Sequence, residues 1–424
     1  MKASERFRGL TKDISVGQFL AFRELKRNNP WSTSLIVFVM SLTFLNMILM
    51  GGVLIGIAEG MMNSFKTYYS SDILIKPSSQ KNSISETSLL NSVIHNLPGY
   101  RASSSRYTSV VILENENNIK VKPTDIGERV SGTLVGINPE DEDVVTGLSN
   151  TIISGSFLND YEIDGVLLGK GLLSEYSQGS STEPRLKDVK IGARLKLING
   201  ENSKKVVVLG IIDTGNTTID SRIFMPETAM RTFLDNPHLN ANEIAISLHP
   251  QTSAIQAKEY VLDNFSFRSD ISVQTAEETL PKAISDMKKT FSMLGNLVGA
   301  ISLIVGAITI FIVIFVNAVT RRKYIGILKG IGISSRAIEI SYIIQALFYA
   351  IAGIALASYI IIWFLDPWFD IHPLQFPVTK GSLAITTDGL FNRGLILLLT
   401  AFASGYTPAV MITKQNTLDA ILGR

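Results

Sequence analysis

Apolar positions are not spread evenly along this chain. Four windows, Ser34–Ile57, Leu294–Ala318, Ile340–Leu365 and Gly394–Thr413, contain no charged residue. A helix crossing the hydrocarbon core of a bilayer needs about 20 apolar residues, so each window predicts a spanning helix. The first is longer than the apolar core of a secretory signal and has 33 residues before it, which predicts an uncleaved span. The last holds Gly405 and Pro408, which spanning helices tolerate.

The stretch between the first two windows is patterned differently. Asp72–Lys76 alternates with Ile73 and Ile75 inward, a strand. Glu86–Asn96 sets Leu89, Leu90, Val93 and Ile94 on one face and stops at Pro98-Gly99, a helix. Tyr107–Leu113 is rich in strand formers. Far downstream, Glu243–Leu248 predicts a strand, Gln251–Asn264 a helix and Ile271–Gln274 a strand. The order β-α-β, insertion, β-α-β is that of a split β-α-β unit in a ferredoxin-like sandwich. The insertion, about residues 125–240, has strand-like Ala193–Ile198 and Lys205–Ile212 and a helix near Pro226–Leu234, which predicts a second, β-rich subdomain.

Two apolar stripes flank this domain. Ala58, Met62, Phe65 and Tyr69 follow the first window, and Leu280, Ile284, Met287 and Phe291 precede the second, at alternating spacings of three and four. That is the seam of a two-helix coil. It predicts an antiparallel two-helix stalk carrying the outer domain, in preference to two helices that each pack on their own domain.

Charge orients the spans, because basic residues in short flanks stay in the cytoplasm. Residues 1–33 hold seven Lys/Arg against three Asp/Glu, and 319–339 hold five against Glu339 alone. Both segments are expected inside, as is the tail at 414–424. The loop 366–393 and the domain at 58–290, with 23 basic and 29 acidic residues, are expected outside. The layout is then one span (34–57), a large outer α+β domain, and three spans (291–318, 340–365, 394–413), in the cytoplasmic membrane. Net charge is +2 and cysteine is absent, which argues against nucleic acid as partner and excludes disulfides, thiolate metal sites and cysteine nucleophiles. The four histidines are scattered, and no metal site is expected. The acidic run Glu140–Asp143 lacks the spacing and glycine of an EF-hand and reads as a solvated turn.

Two cytoplasmic segments carry more than charge. In 16–27, Val16, Phe19, Leu20 and Phe22 oppose Arg23, Lys26 and Arg27, which fits a helix along the inner leaflet or a plain basic anchor. After the second span comes Arg321-Arg322-Lys323-Tyr324-Ile325-Gly326-Ile327-Leu328-Lys329-Gly330-Ile331-Gly332-Ile333. A topogenic loop needs only charge. Five aliphatic residues and three glycines in addition suggest either a partner surface or a tight turn packed on its own bundle.

This segment resembles the R-x-E-I-G-I-L-K-A-I-G run of permeases of the MacB, LolC/LolE and FtsX type, as does the one-plus-three layout. Arg322 to Gly332 match it, with Tyr324 in place of the usual glutamate and Gly330 in place of alanine. Leu25-Lys26-Arg27-Asn28, Gly60 and Thr407-Pro408-Ala409 match as well. The resemblance implies a subunit of an ABC transporter in which residues 321–332 dock on a cytoplasmic ATPase that carries ATP and Mg. It implies pairing with a second copy or paralogue, contact with membrane lipid, and an extracytoplasmic carrier or hydrolase as a further partner. Two functions fit: export of a lipoprotein, lipid or amphipathic peptide from the outer leaflet, or FtsX-like signalling to a cell-wall hydrolase. The size of the outer domain favours export.

A P-loop requires G-x-x-x-x-G-K-[ST] to cradle phosphate. The nearest string, Asp164 to Gly171, lacks the first glycine and the hydroxyl residue. No catalytic residues are expected on this chain. The purified chain should therefore show no ATP hydrolysis, and activity should appear only when a separate ATPase subunit is added. Robust turnover by the chain alone, with contaminants excluded, would contradict this.

Overall fold

The computed structural model describes residues 2–79, 81–115, 128–176, 184–236, 240–372, 374–375, 380–381 and 383–414. In chain order the elements are α1 (Lys2–Arg27), α2 (Pro30–Phe65), β1 (Ile73–Pro77), α3 (Thr87–His95), β2 (Tyr100–Asn115), β3 (Arg129–Ile137), α4 (Pro139–Thr146), β4 (Ile152–Gly155), β5 (Gly165–Gly169), β6 (Arg194–Asn199) and β7 (Asn202–Ile212). Then follow α5 (Thr217–Asp220), β8 (Arg222–Pro226), α6 (Glu227–Phe233), β9 (Glu243–Leu248), α7 (Ala254–Asn264), β10 (Ile271–Thr275), α8 (Ala276–Thr279), α9 (Lys282–Thr320), α10 (Arg322–Gly330), α11 (Ser335–Ile360), α12 (Asp366–Ile371) and α13 (Thr387–Thr413). The expected start of the insertion at 125 and the tail beyond Lys414 lie outside the described residues.

Among the described residues, four helical runs are long and apolar enough to cross a membrane: Pro30–Ser70, Lys282–Thr320, Ser335–Phe369 and Thr387–Thr413. Each contains one of the charge-free windows. The chain forms two compact units, one of residues 1–56, 287–374 and 382–424, the other of 57–286 and 375–381.

In the first unit the helices close on an apolar core that includes Met40, Phe44, Ile310, Ile314, Tyr342, Tyr349 and Leu397. Hydrophobicity alone cannot hold helices together in lipid, so close packing of small residues must contribute. Gly295, Gly299, Ser302 and Gly306 lie buried on one face of α9. A Cβ on Gly295 would stand 3.0 Å from the Gly51 Cα, and one on Gly306 would stand 3.0 Å from the Thr43 Cγ2. The two helices therefore run antiparallel with their backbones nearly touching.

The second unit is built on one ten-stranded sheet, ordered β10-β1-β9-β2-β3-β8-β5-β7-β4, with β6 paired to β2 and β7. Strand β1 sits antiparallel between β10 and β9. Strand β2 is longer than its β-rich centre predicts. Its first half pairs with β9 and its second half with β3 and β6, so one strand joins both parts of the sheet. Ile73 and Ile75 face a core under α3 and α7, and Leu74 faces a second core on the opposite side. Alternation in β1 is weaker than expected because both faces are covered. Phe65 and Tyr69 lie in that second core, with Leu280 and Ile284 packed against it. Ala58 is also buried, and Met62, Met287 and Phe291 are half-buried.

The string that faintly resembles a P-loop contains β5, whose five residues are all buried. Gly169 and Gly171 are needed because the backbone of Asp220 packs against both. Lys170 Nζ pairs with Asp213 Oδ1 at 2.5 Å. These residues serve packing.

The acidic run Glu140–Asp143 is not a solvated turn. It opens α4, capped by the Asn138 side chain, and Glu142 is turned inward. Arg106, 1% exposed, donates to both Glu142 carboxylate oxygens at 2.9 and 2.7 Å and to the Tyr69 carbonyl at 2.6 Å. Ser104 and Thr146 also donate to Glu142. Glu243 accepts from the Tyr69 hydroxyl at 2.7 Å and from Arg222 at 3.2 and 3.3 Å. Burial alone would raise the Glu243 carboxyl, but Arg222 and Arg106, with the Arg222 and Tyr69 hydrogen bonds, hold it down to about 2. Burial disfavours the Arg106 cation, but Glu142 and Glu243 more than offset this and its pKa is raised.

Arg106→Leu would leave Glu142 buried without its cation, which typically costs about 3–5 kcal/mol. Thermal unfolding of the purified chain should show the transition of the sheet-bearing unit falling accordingly. A carboxyl depressed on folding adds stability above its unfolded pKa and loses it as pH falls through its folded pKa. The Glu243 contribution should therefore be complete above 4.5 and fade towards about 2. Glu243→Gln should flatten the loss of melting temperature across that window.

Candidate coupling site

Residues 321–332 form a helix and its stop. The α10 backbone ends where Gly332 takes a φ of 94°, a left-handed geometry that glycine adopts without strain. There Ile333 N–H bonds back to the Leu328 carbonyl at 3.0 Å, as in a Schellman ending. Ser334 then caps α11 by accepting from Ala337 N–H.

Helical periodicity splits the segment into two faces. Ile325, 3% exposed, Gly326 and Leu328 turn inward. Lys323, Tyr324, Ile327, Gly330 and Ile331 turn outward, and Ile331 is 72% exposed. Among the described residues, beyond the chain neighbours and the helix's own backbone, no atom lies within 4 Å of a Cβ placed on Gly330 or Gly332. Ile325 and Leu328 therefore do not share an exposed face with Ile327. The outward apolar surface is Tyr324, Ile327 and Ile331, beside a strip of bare backbone.

Arg321 and Arg322 are half-buried. Lys329 points back into the bundle, and its Nζ donates to the Thr413 carbonyl at 2.9 Å. Thr413 Oγ1 donates to Glu339 Oε1 at 2.6 Å. The end of α10 is thus tied to the end of α13 and the start of α11.

Residues 16–27, which fitted a leaflet helix or a basic anchor, lie within α1, and α1 runs alongside α11, parallel and in register. Ser334 Oγ donates to Asp13 Oδ1 at 2.6 Å, Gln345 Nε2 to Glu24 Oε2 at 2.5 Å, and Asn28 Nδ2 meets the Tyr349 hydroxyl at 3.5 Å. All three pairs are 321 residues apart in sequence. Gly17 and Ala21 make the approach possible, since a Cβ on Gly17 would stand 2.7 Å from Ile340 Cγ2. The signal was present in the sequence as a stripe of Asp13, Gly17, Ala21, Glu24 and Asn28 at helical spacing. It was masked by the stronger apolar pattern of Phe19 and Phe22, which stand exposed. Glu24 also pairs with Arg321 Nη1 at 3.5 Å, which links α1 to the coupling segment.

Residues 296–417 match the family of the FtsX-like permease C-terminal domain. The resemblance to permeases of the MacB and FtsX type is borne out. The macrolide export ATP-binding/permease protein MacB of Campylobacter jejuni is 25% identical over 294 residues, which cover 63% of this chain and 43% of that protein. An uncharacterised ABC transporter permease of Methanocaldococcus jannaschii is 24% identical over 241 residues, 56% of this chain and 59% of that protein. The chain thus spans less than half the length of the MacB relative. The crystal structure of the periplasmic region of MacB from Actinobacillus actinomycetemcomitans aligns with 50% of this chain and 92% of that one, at 13% identity and a TM-score of 0.35.

If Gly17 sets the fit of α1 on α11, Gly17→Leu should lever α1 away. Trypsin cleavage after Lys26 and Arg27 should then accelerate severalfold in the detergent-purified chain. An unchanged rate would show that the helix contact does not depend on this glycine.

Proposed function

We propose that this chain is the membrane subunit of an ABC transporter and works through a separate cytoplasmic ATPase. The observation that carries the reading is the outward face of α10. It is an apolar strip of Tyr324, Ile327 and Ile331 with bare glycine backbone, on a short helix between α9 and α11. Exposed aliphatics so placed are the kind of anchor that fills a groove on a partner. Lys329, Thr413 and Glu339 brace the strip against α11 and α13. ATP and Mg would sit on the partner. Basic residues around α1 and α10 favour the cytoplasmic side for this end of the bundle, with both termini inside and the large α+β domain outside.

ATP-driven closure of the partner would shift α10, and the motion would pass through the outer ends of α2 and α9 to the outer domain. The bundle of one chain is a packed apolar core around Phe44, Ile314 and Tyr349. That favours a cargo handled outside the hydrocarbon: a lipoprotein, lipid or amphipathic peptide met at the outer leaflet. Four spans per chain favour a working unit with a second copy or a paralogue.

Ile327→Asp and Ile331→Asp place a charge on the outward face without entering the bundle. Truncating a buried interface anchor typically costs about 2 kcal/mol or more, and a charge there costs more. Each variant should insert normally and lose the ATPase during co-purification. If both retain the ATPase and transport function, α10 is only a turn between spans and the reading loses its main support. Leu328→Asp is unsuitable as a probe, because Leu328 is buried in its own bundle.

A further inference from the structure

Apart from Tyr324, the residues of the cleft between α1 and α10 have no role in the reading above. The cleft encloses about 290 Å³ and is lined by Leu20, Arg23, Glu24 and Arg27 of α1, and by Arg321 and Tyr324 at the start of α10. Ligand clefts begin at about 300 Å³. Three guanidinium groups thus border one small space. The lone carboxylate of the lining, Glu24, is already shared between Arg321 and Gln345. The nearby acids are engaged elsewhere, Asp13 with Ser334 and Glu339 with Thr413. Like charges that border one cleft repel one another, and an anion among them relieves the repulsion. Guanidinium groups bind phosphate through paired N–H donors, and the Tyr324 hydroxyl adds a further donor.

We propose that this cleft holds the phosphate of an anionic lipid from the cytoplasmic leaflet, which bridges α1 and α10. The leaflet assignment rests on the orientation proposed above. The surroundings favour a lipid over a soluble anion. Just past the basic end of α1, at the start of α2, Trp31 is 83% exposed, and Leu35 and Phe38 stand exposed behind it. Trp at such a position anchors at the headgroup level, and the apolar pair beyond offers a surface for acyl chains. A phosphate in the cleft would therefore have its lipid tail beside the first spanning helix. Basic pockets on the cytoplasmic side of membrane helices bind headgroups in this way. The bound headgroup would neutralise Arg23, Arg27 and Arg321 together, and fasten the docking helix to the helix that leads into the first span.

The test is native mass spectrometry of the full chain in mild detergent, titrated with phosphatidylglycerol or phosphatidylcholine. Phosphatidylglycerol should be retained preferentially. Arg23 and Arg27 are exposed, so Arg23→Gln and Arg27→Gln should fold normally and each weaken retention about fivefold. Tyr324→Glu, which puts a carboxylate into the cleft, should weaken it at least as much. Ile327→Asp, on the docking face, should leave it unchanged. Equal retention of both lipids, or full retention by the cleft variants, would overturn the proposal. Displacement of the lipid by millimolar inorganic phosphate would overturn the lipid assignment in favour of a soluble anion. Loss of the ATPase by Arg27→Gln with lipid retention intact would reassign the cleft to the protein partner. Labelling of Lys26→Cys from outside intact cells would overturn the orientation and the leaflet. Retention in detergent does not depend on orientation, so the two failures are distinguishable.

Discussion

The guanidinium of Arg106 is the constraint around which the sheet-bearing unit is arranged. A cation removed from water must be surrounded by acceptors in good geometry, or the site does not form. Here the acceptors come from three places: the Glu142 carboxylate of α4, the Tyr69 carbonyl at the end of the first long helix, and Glu243 of β9 at 3.8 Å. Each partner is held in turn, Glu142 by Ser104 and Thr146, and Glu243 by Arg222 and the Tyr69 hydroxyl. Apolar residues of the same volume could match this cluster in stability. They could not set the direction of every element as narrowly, because a hydrogen bond fails at angles that a packed methyl tolerates. The network selects one register for the end of that helix on β2, β8 and β9.

The membrane unit uses a different device for the same purpose. Lipid removes the hydrophobic drive for helix association, so specificity comes from small residues and a few polar pairs. Gly295 and Gly306 set α9 against α2, and Gly17 sets α1 against α11. The contacts of Asp13, Glu24 and Asn28 with Ser334, Gln345 and Tyr349 act as a ruler that fixes the offset of α1 on α11. A slip by one turn would break all three.

The parts legible in the sequence were those in which one environment dominates several consecutive residues. The four charge-free windows located the four apolar helices, and short strand-like runs located β1, β9 and β10. Where a residue faces two environments, the pattern faded. β1 is covered on both sides, so Leu74 is as buried as Ile73 and Ile75. β5 is a short buried run between glycines, and its Gly-Lys-Gly ending drew attention as a failed phosphate loop. The inward turn of Glu142 was hidden because its three acidic neighbours are typical of solvent. Its partner, Arg106, is 36 residues away in sequence. In the coupling segment the residues were legible but the division of their faces was not. Only the position of the α10 axis separates Ile325 and Leu328 from Ile327 and Ile331.

That division bears on how force could enter the protein. A docking helix transmits a push only if it is stiffer than its contact with the partner. Nine residues of helix have little stability alone, so α10 must take its rigidity from the bundle. Ile325 and Leu328 give it an apolar footing, the Lys329 bond to Thr413 holds its last turn, and the Gly332 turn joins it to the capped start of α11. Ahead of its first turn, Arg321 meets Glu24 of α1 at 3.5 Å, on the edge of a basic cleft. The start of the helix is tied to α1 by charge, whereas the last turn is held by a hydrogen bond and a helix stop. An anion between Arg23, Arg27 and Arg321 would strengthen the tie to α1. The coupling helix would then respond to the lipid composition of the leaflet as well as to its protein partner.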